Sequence, residues 1–335
     1  MKLALITEAW HPQVNGVVRT WTNVVRELQE MGHIVEVIHP GLFRTCRAPK
    51  YPEIRLAMFP YARLRRLLDE IAPEAIHIAT EGPLGLAGRR YCRRRGWPFT
   101  TSYHTQYPAY LKAYFGVPPG LTYRLLRWFH GRAQGVLVPT ATVQKELAQR
   151  GLGNTVLWNR GVDARLFCPG SKDVLNLSRP IFVTAGRVAV EKNIEAFLRL
   201  DLPGSKVVIG DGPARARLQR AYPQAHWTGY LHGADLAKHY AAADVFVFPS
   251  RTDTFGVVML EANACGLPVA AFPVTGPVDV VKPGISGVLD EDLRTACLGA
   301  LRIDPAGARA YALLHSWTRC ARIVLDNLAE IPGRR

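Results

Sequence analysis

The sequence lacks the cysteine spacings on which disulfide frameworks and zinc sites are built. Its six cysteines are scattered, and none of them falls in a C-x-x-C pair. Long apolar segments are also missing, because the longest uncharged run, residues 262–278, contains three prolines and predicts a loop and a strand. No secretory signal precedes the strand-like residues 3–7. We therefore expect a cytoplasmic protein with reduced, mostly packed thiols.

Acidic side chains are scarce relative to basic ones. The chain has 42 Lys and Arg against 27 Asp and Glu, which gives a net charge of +15. The excess is uneven, since residues 1–150 hold 21 basic and 10 acidic side chains whereas residues 151–335 hold 21 and 17. The first half is therefore expected to meet a polyanion, whether a nucleic acid, an anionic lipid surface or an acidic substrate.

Three arginine-rich clusters lie in this half, at residues 63–68, 89–97 and 123–129. They interleave arginine with leucine and aromatic residues, which suits a membrane interface where rings lie among the headgroups. The aromatic residues expected there are Trp97, Tyr107, Tyr110, Tyr114, Phe115, Trp128 and Phe129. The alternative for each cluster is a solvated helix face. Together the clusters predict peripheral binding to an anionic membrane surface.

Short apolar runs alternate with helix-length segments in both halves, which predicts βαβ units and parallel sheets. The predicted strands are residues 3–7, 34–39, 75–79, 99–104 and 135–140, then 180–186, 206–210, 226–230, 245–249 and 268–272. We place a first domain at residues 1–160, a linker at 161–179 and a second domain at 180–315. The predicted class is α/β, with two doubly wound domains facing across a cleft lined by the carboxyl ends of their strands.

Three predicted strand-to-helix turns have residues suited to a phosphate. In Asn15-Gly16 the glycine lets backbone N–H groups approach an anion. The turn with Gly186, Arg187 and Lys192 puts two cations beside a helix N-terminus, where they would hold a diphosphate and stabilise its charge as it leaves. The alternative there is an ordinary surface loop. In residues 210–213, Gly-Asp-Gly-Pro, we expect the proline in the first turn of a helix.

The most specific pattern is a pair of carboxylates, Asp253 and Glu261, after the strand at residues 245–249. If Gly256 opens a helix, Glu261 lies on that helix and Asp253 lies in the turn before it. Carboxylates accept hydrogen bonds from sugar and ribose hydroxyls, and N–H groups at the helix N-terminus face oxygens. The alternative for Glu261 is an acid on the helix surface.

The order of these motifs, together with His104, resembles retaining glycosyltransferases of family 4, which have the GT-B fold. The resemblance covers nearly the whole chain, and residues 316–335 are similar to the family's C-terminal helix that crosses back to the first domain. Residues 102–108 and 248–256 look most like bacterial members that glycosylate diacylglycerol or are mannosyltransferases.

The resemblance implies a role for each matching residue. Arg187 and Lys192 would bind the donor diphosphate, and Glu261 would bind the ribose hydroxyls. Asp253 would contact the transferred sugar from the donor side, and His104 from the acceptor side. The implied catalytic residues are His104, Arg187, Lys192, Asp253 and Glu261, and the implied donor-binding residues are Asn15, Gly16, Gly186, Gly212, Tyr230, Leu231, Thr254, Phe255, Gly256, Val257 and Glu261.

Two positions depart from the family pattern. The first carboxylate is usually Glu and here is Asp253, whose side chain is one methylene shorter. The usual Gly-Gly pair after the next strand is Thr275-Gly276, which leaves one flexible position for the phosphates.

No metal and no cofactor are expected besides the nucleotide-sugar co-substrate, because cations and helix N-termini would stabilise the leaving group. The only D-x-D pattern, residues 290–292, precedes a predicted helix and is better explained as an N-cap with acids in the first turn.

The resemblance implies a hexosyltransferase that uses UDP-glucose, UDP-glucuronate or GDP-mannose and acts on a membrane lipid such as diacylglycerol. One alternative is a glycosyltransferase with a soluble or polysaccharide acceptor. Another is a basic nucleic-acid-binding protein, although no nucleic-acid motif is present, so no nucleic-acid partner is expected. A dehydrogenase is a third, but no G-x-G-x-x-G follows the first strand. The sequence predicts no particular oligomeric state.

Overall fold

A computed structural model describes residues 1–13, 15–48, 51–108, 111–112 and 116–334, without the side chains of residues 51–53. The chain divides into two compact units. The first unit consists of Met1–Asn159 and Trp317–Arg335, and the second unit is Arg160–Ser316. Tyr110, Tyr114 and Phe115, which the sequence analysis assigned to a membrane interface, lie outside the described residues.

The first unit is built on a parallel sheet of six strands in the order β2-β1-β5-β6-β7-β8. Its strands are β1 Lys2–Ile6, β2 Ile34–Ile38, β3 Thr45–Ala48, β4 Tyr51–Ala57, β5 Ala75–Ile78, β6 Thr100–Ser102, β7 Val136–Val138 and β8 Thr155–Leu157. Its helices are α1 Gly16–Glu30, α2 Tyr61–Ile71, α3 Pro83–Arg95, α4 Pro119–His130 and α5 Ala141–Gln149. Strands β3 and β4 form a separate antiparallel pair.

The second unit has its own parallel sheet of six strands, in the order β11-β10-β9-β12-β13-β14. Its strands are β9 Ile181–Ala185, β10 Ser205–Ile209, β11 His226–Gly229, β12 Val245–Phe248, β13 Val269–Ala271 and β14 Gly287–Leu289. Its helices are α6 Ile194–Leu198, α7 Arg215–Ala221, α8 Gly233–Ala242, α9 Val257–Ala264, α10 Pro277–Val280, α11 Leu293–Ala300 and α12 Pro305–Leu313.

Burial explains why these segments form strands. Every residue of β5, β7, β12 and β13 is buried, as expected where helices cover both faces of a parallel sheet and the strands become continuous apolar runs. The predicted α/β class with two doubly wound units is confirmed. Most predicted strands include residues beyond the end of the observed strand. His104, for example, was predicted to end a strand and lies instead in the loop after β6.

Strands β3, β4 and β8 were not predicted. Strand β8 is three residues long and only partly buried, and the segments of β3 and β4 contain arginines and a proline instead of an apolar run. The periodic signal that identifies a core strand is therefore missing from all three.

The C-terminal helix α13, Trp317–Asp326, is part of the first unit and packs on α1. The hydroxyl of Thr318 donates to Glu27 at 2.7 Å, and the indole N–H of Trp158 donates to the carbonyl of Cys320 at 3.0 Å. Among the described residues, none of the helices combines the length and the apolar character that crossing a bilayer requires.

Each sheet reverses its strand order once, between β1 and β5 in the first unit and between β9 and β12 in the second. Loops that leave neighbouring strands at such a point run to opposite faces and open a crevice at the carboxyl edge, where ligands of doubly wound sheets bind. The loops after β9 and β12 contain the residues predicted for the donor.

Candidate functional site

The loops after β9 and β12 meet through an ion pair. The ammonium group of Lys192 lies 2.5 Å from Oδ1 of Asp253, and both side chains are mostly shielded from solvent. The other oxygen of that carboxylate, Oδ2, is buried and has no hydrogen-bond partner among the described residues. An unpaired buried carboxylate oxygen is costly, and a ligand hydroxyl would satisfy it.

Further hydrogen bonds join the same two loops. The side-chain amide of Asn193 donates to the carbonyl of Pro249 at 3.0 Å. The hydroxyls of Ser250 and Thr252 both donate to the carbonyl of Glu191, at 3.3 and 3.4 Å. These contacts hold Lys192 and Asp253 in one place, so the ion pair does not depend on two freely moving side chains.

Glycines allow the neighbouring turns to pack against this pair of loops. A Cβ on Gly212 would lie 2.5 Å from the carbonyl oxygen of Val188, and one on Gly276 would lie 2.8 Å from that of Asp253. Both glycines also have positive φ angles, which other residues rarely adopt. Pro213 lies two residues before α7, so the prediction that it occupies the first helical turn was wrong.

Helix α9 carries the second carboxylate of the predicted pair. Gly256, with φ of 83°, is its N-cap, and Asp253 lies in the turn before it, as predicted. Glu261 is only 3% exposed, so its interpretation as a surface acid is wrong. The side chain of Phe255 is buried, with the guanidinium of Arg160 5.9 Å from its ring.

The other predicted donor residues lie on loops of the second unit. Gly186 and the half-buried Arg187 follow β9 directly, and Thr254 lies between Asp253 and Phe255. Tyr230 and Leu231 follow β11, and the exposed Tyr230 ring stacks on His232 with ring centres 6.1 Å apart. Val257 is the first residue of α9.

Asn15, Gly16 and His104 belong to the first unit. Asn15 is the N-cap of α1, and its side-chain oxygen accepts from the N–H groups of Val17 and Val18 at 3.0 Å. A Cβ on Gly16 would meet no atom of the described residues within 4 Å, so their packing does not require glycine there. His104 follows β6, and its Nε2 accepts the indole N–H of Trp21 at 2.9 Å.

Glu8, which was not among the predicted site residues, is buried in the loop after β1. Its carboxyl oxygens accept the N–H of Leu84 at 2.7 Å and that of Ala57 at 3.4 Å. Burial raises the pKa of Glu8 to about 7, although both N–H contacts act in the opposite direction. The position of Glu8 soon after a predicted strand was the one signal in the sequence that pointed to this residue. Nothing in the spacing of the surrounding residues indicated that its side chain would be buried.

The D-x-D pattern has a structural role. Asp292 is the N-cap of α11 and accepts from the N–H groups of Arg294 and Thr295. The first turn of α11 contains no acid, so that part of the prediction was wrong. Over the described part of the chain, no group of three or more His, Cys, Asp or Glu side chains is arranged to hold a metal ion.

Comparison with known proteins identifies the family. The sequence profile "Glycosyltransferase Family 4" matches residues 14–166, and "Glycosyl transferases group 1" matches residues 179–301. The GDP-mannose-dependent alpha-mannosyltransferase of Mycolicibacterium smegmatis is 33% identical over 100% of this chain and 99% of its own. The chain belongs to glycosyltransferase family 4. This family 4 enzyme is a hexosyltransferase, which decides against the dehydrogenase and nucleic-acid-binding alternatives.

More distant proteins share the same architecture. The alpha-monoglucosyldiacylglycerol synthase of Streptococcus pneumoniae is 26% identical over 91% of this chain and 79% of its own. The crystal structure of Anabaena HepE in complex with UDP aligns with a TM-score of 0.74 at 16% identity, over 97% of this chain and 99% of that one. The predicted GT-B fold is thereby confirmed for this family 4 enzyme.

The buried carboxyl of Glu8 makes the stability of the first unit depend on pH. Its pKa is about 7 in the folded protein, above the usual 4.5, so the folded state keeps a proton that the unfolded state loses. This contribution is fully present below about pH 4.5 and is lost as the pH rises to about 7. The loss amounts to about 3 kcal/mol.

We expect Glu8→Gln to remove that part of the pH dependence. Urea unfolding at pH 5 and pH 8 would measure it, with the variant gaining about 2.5 kcal/mol relative to wild type between the two values. Glu30→Gln, at an exposed acid on α1, is the matched control and should change the difference by less than about 0.5 kcal/mol. Parallel profiles for wild type and Glu8→Gln would contradict the raised pKa.

Proposed function

We propose that this enzyme transfers mannose from GDP-mannose to a membrane lipid, with retention of anomeric configuration. Three relatives named GDP-mannose-dependent alpha-mannosyltransferases support the donor. The relatives named alpha-monoglucosyldiacylglycerol synthases support a lipid acceptor of the diacylglycerol type. Retention rests on the resemblance to the family described above.

The observation that carries the proposal is the meeting of Lys192 and Asp253 at the strand reversal of the second unit. The pair places a cation where a diphosphate can bind and, beside it, a buried carboxylate oxygen that lacks a hydrogen-bond donor. A hydroxyl of the transferred sugar would supply that donor. The shorter Asp side chain therefore suits this site, because the Lys192 contact already holds one of its oxygens.

Sugar transfer breaks the bond between the anomeric carbon and a diphosphate oxygen, and negative charge develops on that oxygen. In this proposal Lys192 and Arg187 stabilise the charge, together with backbone N–H groups at the start of α9. Glu261 would accept hydrogen bonds from the ribose hydroxyls. The acceptor hydroxyl forms the new bond to the anomeric carbon, and its proton passes to the departing diphosphate oxygen. No metal ion is required by this arrangement.

The membrane part of the proposal rests on three neighbouring helices of the first unit. The guanidinium groups of Arg90 and Arg94 on α3 lie 4.6 and 5.5 Å from the ring centre of Tyr61 on α2. Arg89 on α3 donates to the carbonyls of Trp128 and Phe129 on α4, at 2.7 and 3.1 Å. The three arginine-rich segments thus lie on adjacent helices rather than on scattered parts of the surface.

Helix α4 adds an exposed apolar row. Leu121, Leu125 and Trp128 are 50 to 60% exposed, and their spacing of four and three residues puts them on one side of the helix. The exposed Arg124 and Arg127 lie among them. Apolar side chains bordered by arginines fit the boundary between headgroups and acyl chains of an anionic bilayer.

The membrane prediction needs correction at individual residues. Phe129 is 2% exposed and belongs to the core, and Arg89 is buried by its contacts with α4. Trp97 is half-buried against the core, as is Tyr107. Of the described aromatic residues predicted for the interface, Trp128 is the exposed one. The proposed surface therefore consists of the exposed arginines of α2, α3 and α4 together with the apolar row of α4.

A panel of nucleotide sugars tests the donor. We expect turnover with GDP-mannose and a lipid extract in the presence of EDTA, because cationic side chains take the place of a metal. GDP should inhibit more strongly than UDP. Turnover with UDP-glucose or UDP-glucuronate but not with GDP-mannose would reject GDP-mannose as the donor. Loss of activity in EDTA that magnesium or manganese restores would reject metal independence, and transfer to a soluble glycan alone would reject the lipid.

Replacing Lys192 tests the diphosphate site. We expect Lys192→Ala to lower kcat by about a hundredfold or more, because charge on the leaving group loses its nearest cation. Lys238→Ala, at an exposed lysine on α8, is the matched control and should keep wild-type turnover. Thermal unfolding of both variants would show that they remain folded. Wild-type kcat in the folded Lys192→Ala variant would remove this residue from the mechanism.

Vesicle sedimentation tests the membrane surface. Binding should be stronger to phosphatidylglycerol than to phosphatidylcholine vesicles and should weaken with salt, because each arginine contributes about 1 kcal/mol at an anionic surface. We expect the Arg93, Arg94, Arg95→Glu triple variant and the Leu121→Glu, Leu125→Glu double variant each to weaken binding by at least about tenfold.

The matched control for the double variant is Leu313→Glu, Leu314→Glu, which changes two exposed leucines of the second unit. It should bind vesicles as the wild type does. Equal binding to both lipids, or equal losses in the two leucine variants, would leave α4 as ordinary solvated surface.

A further inference from the structure

Trp21 lies on α1 and is completely buried, and its indole nitrogen points at a predicted catalytic residue. The Nε1–H donates to Nε2 of His104 at 2.9 Å. An indole N–H can only donate, so the nitrogen that accepts it carries no proton. This contact excludes the Nε2–H tautomer of His104 and also the imidazolium, in which both nitrogens are protonated. The ring is therefore neutral, with its proton on Nδ1.

A second group of contacts is compatible with this protonation state. Oγ of Ser102 lies 2.9 Å from Nε2 of His104 and 3.3 Å from the carbonyl of Ala79, and both are acceptors for its single proton. Ser102 must then accept from His77, whose Nε2 is 3.2 Å away. Burial lowers the pKa of His77 to about 3, so this ring is neutral, and its Nδ1 accepts the hydroxyl of Thr100 at 2.8 Å. With Nε2 of His104 bare, as the Trp21 contact requires, these contacts make Nε2–H of His77 the donor to Ser102.

Packing holds the indole in this orientation. The ring of Trp21 lies between His77 and Trp158, with ring centres 4.7 and 5.0 Å away. Trp158 is itself fixed by its hydrogen bond to the carbonyl of Cys320. The indole N–H therefore has no route to water, and turning it away from His104 would leave a buried donor unsatisfied.

We propose that Trp21 is a positioning residue that fixes His104 as the neutral Nδ1–H tautomer. Resting on the glycosyl transfer proposed above, this makes Nδ1–H a hydrogen-bond donor to an oxygen of the transferred sugar. Trp21 acts through His104 and contacts no substrate in this proposal. A ring that presented a bare Nδ1 would accept from a hydroxyl instead, so the tautomer determines whether His104 donates a hydrogen bond to the sugar or accepts one from it.

The tautomer can be measured without any substrate, by ¹⁵N NMR of the histidine side chains at pH 7. His104→Gln assigns the signal, and His77 serves as an internal contrast because its contacts place the proton on Nε2. We expect a protonated Nδ1 and a bare Nε2 for His104 in the wild type. Trp21→Phe keeps an aromatic ring but removes the N–H, and should shift His104 toward the Nε2–H tautomer.

Trp227→Phe is the control, because it removes an indole N–H that donates to the carbonyl of Tyr222 in the second unit. It should leave the His104 tautomer unchanged. In GDP-mannose turnover we expect Trp21→Phe to lower kcat/KM by about tenfold, the effect of one neutral hydrogen bond, and Trp227→Phe to lower it much less. Thermal unfolding of both variants separates these effects from loss of the fold.

Three results would overturn the inference: an Nε2–H or imidazolium His104 in the wild type, an unchanged tautomer in Trp21→Phe, or an unchanged kcat/KM in that variant despite a shifted tautomer. Failure of the proposed function looks different. In that case the wild type would turn over no nucleotide sugar, while the NMR signals would still report whether Trp21 sets the His104 tautomer.

Discussion

The contact between Lys192 and Asp253 is the constraint on which the second unit's candidate site depends. It joins the loops that leave β9 and β12, the two strands between which the sheet reverses its order. Glycines at 212 and 276 let the adjacent turns pack closely against these loops. Gly256 is the N-cap of α9, the helix on which the buried Glu261 lies. The same lysine holds one oxygen of Asp253 and leaves the other for a ligand.

Much of this arrangement could be predicted from the sequence because it follows from local rules. The alternation of apolar runs and helical segments fixes the class, and Gly256 followed by apolar residues places Glu261 on a helix. The burial of Glu261 could not be predicted in this way. It results from α9 being enclosed on nearly all sides, which depends on distant parts of the chain.

The polar interior of the first unit was equally hidden from sequence reasoning. Glu8, His77 and Trp21 have no neighbours in sequence that reveal their partners, since Leu84, Thr100 and His104 are far along the chain. The sheet brings β5 and β6 side by side and so places His77 against Thr100, whereas the contacts of Glu8 and Trp21 depend on where helices α3 and α1 pack. The antiparallel strands β3 and β4 were missed for a different reason, because surface strands with arginines carry no core periodicity.

The first unit is made from both ends of the chain, since α13 packs on α1 and accepts the N–H of Trp158. During synthesis on the ribosome, the second unit is complete before α13 emerges. The N-terminal residues, although made first, must wait with one face of α1 uncovered until the C-terminal segment is released. The unit synthesised first is therefore the one that finishes folding last, and its exposed apolar surface is what chaperones would meet on the nascent chain.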